Sequence, residues 1–154
     1  MPSLLEGQTL VWLSWDELGT FTAATRQMLT EHLAEKAVTL QLLRPASLEE
    51  LTQLVQRQPT SLITLKISKQ LEIAAACKTF ARIRGRIDQP ICVAFLEVDL
   101  LENIPLLLEA GAQIVVSQLP SWQRSLPNIV ARAPLTRHNS HPLVSGLLDR
   151  LPIK

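Results

Sequence analysis

Five short apolar runs alternate with longer amphipathic stretches along this chain. The runs are TLVWLSW (Thr9 to Trp15), AVTLQLL (Ala37 to Leu43), SLITLKI (Ser61 to Ile67), ICVAFLE (Ile91 to Glu97) and QIVVSQL (Gln113 to Leu119). Each is almost continuously β-branched or large and apolar, whereas a strand with one wet face alternates. Continuous runs therefore predict strands covered on both faces, and their alternation with helical stretches predicts βα units and a parallel sheet.

The intervening stretches carry helical spacing. Leu18, Phe21, Thr25, Met28, Leu29 and Leu33 line a first helix. Ser47 and Glu50 stand as a capping box before a second, which Pro59 ends. Leu71, Ala74, Ala75, Lys78, Phe80 and Ile83 mark a third helix that stops near Gly85. Asp99 and Glu102 offer a cap for a fourth, with Gly111 placed to terminate it because positive φ costs glycine nothing. A fifth, SWQRSLPNIVAR, contains Pro127, so its first turn should be distorted or start late.

Right-handed crossovers leave few topologies for five alternating units. The expected fold is a three-layer, doubly wound α/β domain with a five-stranded parallel sheet in the order 2-1-3-4-5. The carboxyl ends of strands one, three and four then meet at the switch point, where a site would lie. The domain spans residues 1–132. Residues 133–154, with three prolines and an apolar patch from Leu143 to Leu151, read as a tail that packs back as a short helix or as a linker.

Composition narrows the function classes. With 154 residues, 47% hydrophobic and 19% charged, the chain makes one domain with a normal core. Fifteen basic and 14 acidic residues give a net charge of +1, so nucleic acid or membrane surface would need a local patch. The start MPSLLEGQTLVWLSW lacks signal-peptide features, and no apolar run reaches the roughly 18 residues of a spanning helix. A cytoplasmic protein is expected. Cys77 and Cys92 read as reduced core thiols, with a reactive pair as the alternative.

The strand ends bring together Ser14, Trp15, Asp16 and Glu17, then Lys66, Glu97, Ser117 and Gln118. A half-buried amine such as that of Lys66 needs a partner, and Asp16 and Glu97 are the candidates.

The alternation, and above all LLLEAGAQIVVSQLPSW with its A-G-A turn before strand five, resembles the receiver domains of bacterial response regulators over residues 8 to about 132. The resemblance implies an acidic pair after strand one, a phosphoryl-accepting aspartate ending strand three, a Thr or Ser after strand four and a lysine ending strand five. Here these fall on Ser14 and Trp15 or Trp15 and Asp16, on Lys66, on Phe95 or Leu96, and on Ser117 or Gln118, with Leu119 inserted before Pro120. Almost none of the chemistry is kept. Transfer to a carboxylate needs that carboxylate and a divalent cation held by acidic oxygens, and an ammonium in its place repels Mg²⁺. Three roles are open to Lys66: a plug paired internally with the acids, a stem that snorkels to solvent, or a Schiff-base nucleophile, which neighbouring carboxylates oppose by favouring the charged amine.

Helix four carries more leucine than one buried face needs. Leu100, Ile104, Leu107 and Leu108 can line the core, leaving Leu101, Pro105 and Leu106 outside, with Trp122 beside them. In receivers the face formed by helix four, strand five and helix five commonly contacts partners, which implies a protein partner or homodimer there, unless the tail covers it. Lys78, Arg82 and Arg86 recur at i, i+4 and i+8, but no aromatic interleaving supports base stacking, so nucleic acid is not expected. The His138 and His141 pair lacks further ligands for a metal, and His32 reads as a surface residue. No glycine-rich loop follows a strand, so no dinucleotide or flavin cofactor is expected. The sequence thus points to a non-phosphorylatable pseudo-receiver working by protein contact in bacterial signalling, without enzyme activity, metal or cofactor. The alternative is a ligand-binding or enzymatic domain using a crevice lined by Trp15, Asp16, Lys66, Glu97 and Gln118.

Overall fold

The computed structural model describes residues 7–86 and 88–137. Strands β1 (Gln8–Trp15), β2 (Thr39–Leu43), β3 (Leu62–Ile67), β4 (Ile91–Leu96) and β5 (Ile114–Val116) form a parallel sheet in the order β2-β1-β3-β4-β5, as the sequence predicts. Helices α1 (Thr20–Ala34), α2 (Leu48–Arg57), α3 (Ile73–Ile83), α4 (Ile104–Ala110) and α5 (Leu119–Arg132) connect or follow them.

The two-residue period of a strand divides the core into two layers. Leu10 and Trp12 of β1 join Val93 and Phe95 of β4 against Phe21, Leu29 and Leu33 of α1 and Trp122, Leu126 and Ile129 of α5. Val11 and Leu13 join Ile63, Leu65, Ile67, Cys92 and Ala94 against Leu51 and Val55 of α2, Phe80 and Ile83 of α3, and Leu107 of α4. The central strands β1, β3 and β4 are buried on both faces because both faces are covered, whereas edge strand β2 leaves Thr39 and Gln41 exposed.

The α1/α5 layer contains one polar string. Trp12 Nε1 donates to Thr64 Oγ1 at 2.8 Å, Thr64 Oγ1 donates to Ser14 Oγ at 3.0 Å, and Ser14 shares a hydrogen bond with Thr22 at 2.8 Å. Trp122 Nε1 likewise donates to Thr25 Oγ1 at 2.7 Å. Both buried indoles are thus satisfied by threonines, which removes the desolvation cost of their N–H groups.

Several boundaries differ from expectation for identifiable reasons. Gly19 adopts φ 82 ahead of α1, so the helix starts at Thr20 and Leu18 is left 80% exposed. Ala37 takes φ 58, which delays β2 to Thr39. Ser47 Oγ accepts from Glu50 N as predicted, but the Glu50 carboxylate reaches one residue past the cap, to Ala46 N. The buried stripe of α3 is Ile73, Ala76, Thr79, Phe80 and Ile83, so Ala74, Ala75 and Lys78 face out and Leu71 lies before the helix. Asp99 and Glu102 cap nothing: Val98–Asn103 form a 3-10 turn, and the buried Asn103 amide bonds Gln70 and the Leu100 carbonyl. Gly111 ends α4 at φ 131, where a Cβ would stand 3.2 Å from the Phe80 carbonyl oxygen.

α5 begins at Leu119, earlier than predicted, and runs through Pro127. Pro120 in its first turn supplies a helical φ where no N–H is required. Pro127 leaves the Gln123 carbonyl without its intrahelical donor, a cost met by burying Trp122, Leu126, Ile129 and Val130 on one stripe. Leu119 therefore belongs to the helix, and β5 is only three residues long.

After α5 the chain adds a short strand, β6 (Thr136–Arg137), antiparallel to the start of β1. Thr9 pairs with Thr39 on one side and Thr136 on the other, so β6 fills the space that β3 leaves by starting opposite Trp12. The rest of the tail, with the expected helix, His138, His141 and Leu143 to Leu151, lies outside the described residues.

Candidate functional site

Lys66 is the fifth residue of β3, on the same strand face as Leu62 and Thr64, and its register partner on β4 is Phe95. Its side chain is 11% exposed, so the ammonium needs partners. It forms an ion pair with the Glu97 carboxylate, which is half exposed just past the end of β4, and donates to Ser68 Oγ at 3.2 Å. The amine also lies 5.7 Å from the centroid of the Phe95 ring, within range of a cation–π attraction. Snorkelling to open solvent is therefore the wrong description. The amine is held by a carboxylate, a hydroxyl and a ring face.

The second expected partner does not take part. Asp16 Oδ2 accepts from Thr22 N at 2.9 Å, because the chain turns at Gly19 and carries Asp16 back over the first turn of α1. No ion pair joins Asp16 to Lys66. Glu17 instead meets Lys69 across the β1–α1 and β3–α3 loops at 3.7 Å, with both groups exposed. Glu72 fixes the second of these loops by accepting from Ser68 N and Lys69 N.

The crevice predicted for Trp15, Asp16, Lys66, Glu97 and Gln118 is thus divided. Trp15 and Asp16 line a crevice of about 460 Å³ with Ser14, Glu17 and Arg44, on the β2 side of β1. Lys66 and Glu97 lie on the β4 side, and Gln118 is an exposed residue whose carbonyl accepts from Trp122 N at the start of α5. Arg44 and Ser68 were not anticipated, and Phe95, named only as one of two positions for the receiver Thr or Ser, was not foreseen as a neighbour of the Lys66 amine. Arg44 follows an edge strand and Phe95 reads as plain core, so only the register with Lys66 reveals the latter's role.

Of the expected partner face, Leu101, Pro105 and Leu106 are exposed. Leu108 is also exposed, 47%, and is not part of the core. Trp122 is fully buried and must be withdrawn from that face. Removing an indole of roughly 200 Å² from water is worth about 5 kcal/mol, which settles its place in the core. The βα connections add Leu18, Leu71 and Val98, and α5 adds Leu119 as its first residue, so the carboxyl edge exposes four further apolar side chains. The basic stripe is broken, since α3 ends at Ile83 and Arg86 lies beyond it, while Arg84 Nη1 donates to the Glu109 carbonyl at the end of α4.

Both cysteines are free. Burial pushes the Cys92 thiol up to about 12 and raises that of Cys77 as well, so neither is an activated nucleophile. His32 is partly buried, and its Nε2 has no hydrogen-bond partner among the described residues, contrary to a surface reading. Among the described residues no three His, Cys, Asp or Glu side chains cluster as metal ligands, and no helix is long and apolar enough to cross a membrane.

No protein-family model matches the sequence, and no curated protein matches it. Among solved structures, a response regulator from Thermotoga maritima superimposes with a TM-score of 0.60 at 15% identity, covering 80% of this chain and 98% of that one. The chain therefore has the flavodoxin-like fold of a response-regulator receiver.

Proposed function

We propose that the chain is a pseudo-receiver: a receiver-like domain that takes up no phosphoryl group and acts by contact with other proteins in bacterial signalling or regulation. The observation that carries this reading is the ammonium of Lys66, tied to Glu97 near the carboxyl end of β3, taken with the sequence resemblance, which implies an acceptor carboxylate at that position in receivers. One unit of positive charge there opposes a divalent cation at close range, and Glu97 is already neutralised by its partner. A site closed in this way has no use for a phosphodonor, which leaves surface contact as the output.

The exposed Leu101, Pro105 and Leu106 of the α4 region are the proposed partner surface, for a second copy or another protein. A cytoplasmic setting is part of the proposal. Calorimetric titration with MgCl₂ tests its electrostatic half. No saturable heat is expected, whereas a site that is lost on mutation of Asp16 or Glu97 would refute it.

A second reading is favoured by one observation, the juxtaposition of Trp15, Asp16 and Arg44 in the crevice beside β1. Charged groups beside an aromatic suit a small ligand, and a thermal-shift screen would reveal a compound that binds there by raising the melting temperature.

A further inference from the structure

β2 ends the sheet. It pairs with β1 on one side, and among the described residues nothing pairs with its other side. Such an edge presents backbone N–H and C=O groups ready to bond another strand, and soluble proteins blunt the hazard with lysine, proline, a bulge or very short length. The sequence of β2, Thr39-Leu40-Gln41-Leu42-Leu43, has no charge and no proline, and Leu40 and Leu42 are half-buried at the edge. The opposite edge, β5, has three residues and offers less.

A groove of about 480 Å³ runs beside this edge, between β2 and α1. Leu42 and Ala23 give it an apolar floor, and Arg26 and Arg44 flank it, with Glu31 as its one carboxylate. Among the described residues neither guanidinium forms an ion pair. Arg44 lies over the β1–α1 turn, where a Cβ on Gly19 would stand 3.0 Å from its Nη2. An unprotected strand edge thus adjoins an apolar slot with two guanidiniums lacking carboxylate partners.

We propose that the outer edge of β2 receives an extended, acidic segment of a partner protein as an additional strand of the sheet. Backbone groups of the segment pair with residues 39–43, alternate apolar side chains enter the groove over Leu42, and a carboxylate meets Arg26 and Arg44. This rests on the reading of the chain as a contact module, but uses a face remote from α4 and independent of Lys66.

The test uses the full chain and a fluorescein-labelled octapeptide alternating valine with threonine and glutamate. Fluorescence anisotropy should show saturable binding, and amide hydrogen exchange should show protection gained within residues 39–43. Arg26→Glu combined with Arg44→Glu should weaken binding by about tenfold or more and confer binding of the lysine counterpart of the peptide. Exchange on the unmutated chain keeps the proposal testable if the double variant folds poorly. Absent protection of β2, or affinity indifferent to charge reversal, would overturn it. So would protection that rises with protein concentration alone, which would mean that a second copy occupies the edge. A failure here would leave the Mg²⁺ titration unchanged, so the two readings fail separately.

Discussion

Lys66 on β3 and Glu97, just past the end of β4, are joined across a two-residue offset: the register partner of Lys66 is Phe95, and the carboxylate two residues further on reaches back to its amine. The pair bridges the carboxyl ends of β3 and β4. Replacing the amine by an acid should reverse the electrostatics. Lys66→Asp is expected to lose about 1–2 kcal/mol through repulsion from Glu97 and loss of the Phe95 contact. Added Mg²⁺ should stabilise this variant and leave the parent unaffected, as read from melting temperatures with and without the cation.

Thr64 connects two halves of the polar string, accepting from Trp12 and donating to Ser14. Thr64→Val keeps the shape but leaves a buried indole N–H without an acceptor, so urea unfolding should show a loss of about 1–3 kcal/mol. Thr64→Ser should recover most of it, because the hydroxyl rather than the methyl group carries the effect.

Stability should also fall at alkaline pH. The thiol of Cys92 ionises near 9.0 when unfolded and at about 12 when folded, so between these values the unfolded chain has lost a proton that the native chain retains. This contribution is intact below pH 9 and declines at up to about 1.4 kcal/mol per pH unit as pH rises through the window. Cys92→Ala should flatten that part of the profile in denaturant titrations, whatever its effect on absolute stability.

Leu106 is more than half exposed on α4. Leu106→Asp should change stability by no more than about 0.5 kcal/mol, since more than half of the native side chain is already in water. If α4 forms a homodimer, light scattering should show a dimer that this variant dissociates. A monomer at every concentration would remove the homodimer and leave only a foreign partner for that face.

Much of this was legible in the sequence, because strands apolar on both faces permit few folds. The alternation of Leu10 and Trp12 with Val11 and Leu13 fixes which layer each side chain joins. Lys66 stood out because a charge in such a run demands a partner. Its pairing with Asp16 did not follow, since Asp16 is drawn to Thr22 N by the turn at Gly19, a tertiary choice between two short-range options. The phase of α3 was hidden by Ala74, Ala75 and Ala76, whose identity carries no directional signal. Trp122 was misplaced because the helix was started too late. Counted from Leu119, Trp122, Leu126 and Ile129 form an evident buried stripe. The two residues of β6 have no pattern of their own and are defined only by the gap beside β1.

The central claim is that an ammonium closes the site to metal-assisted phosphoryl transfer. Intact-mass spectrometry after incubation with acetyl phosphate and MgCl₂ tests it most directly. The account predicts an unchanged mass, while a Mg²⁺-dependent phosphoryl adduct mapped to Asp16, Glu17 or Glu97 would contradict it.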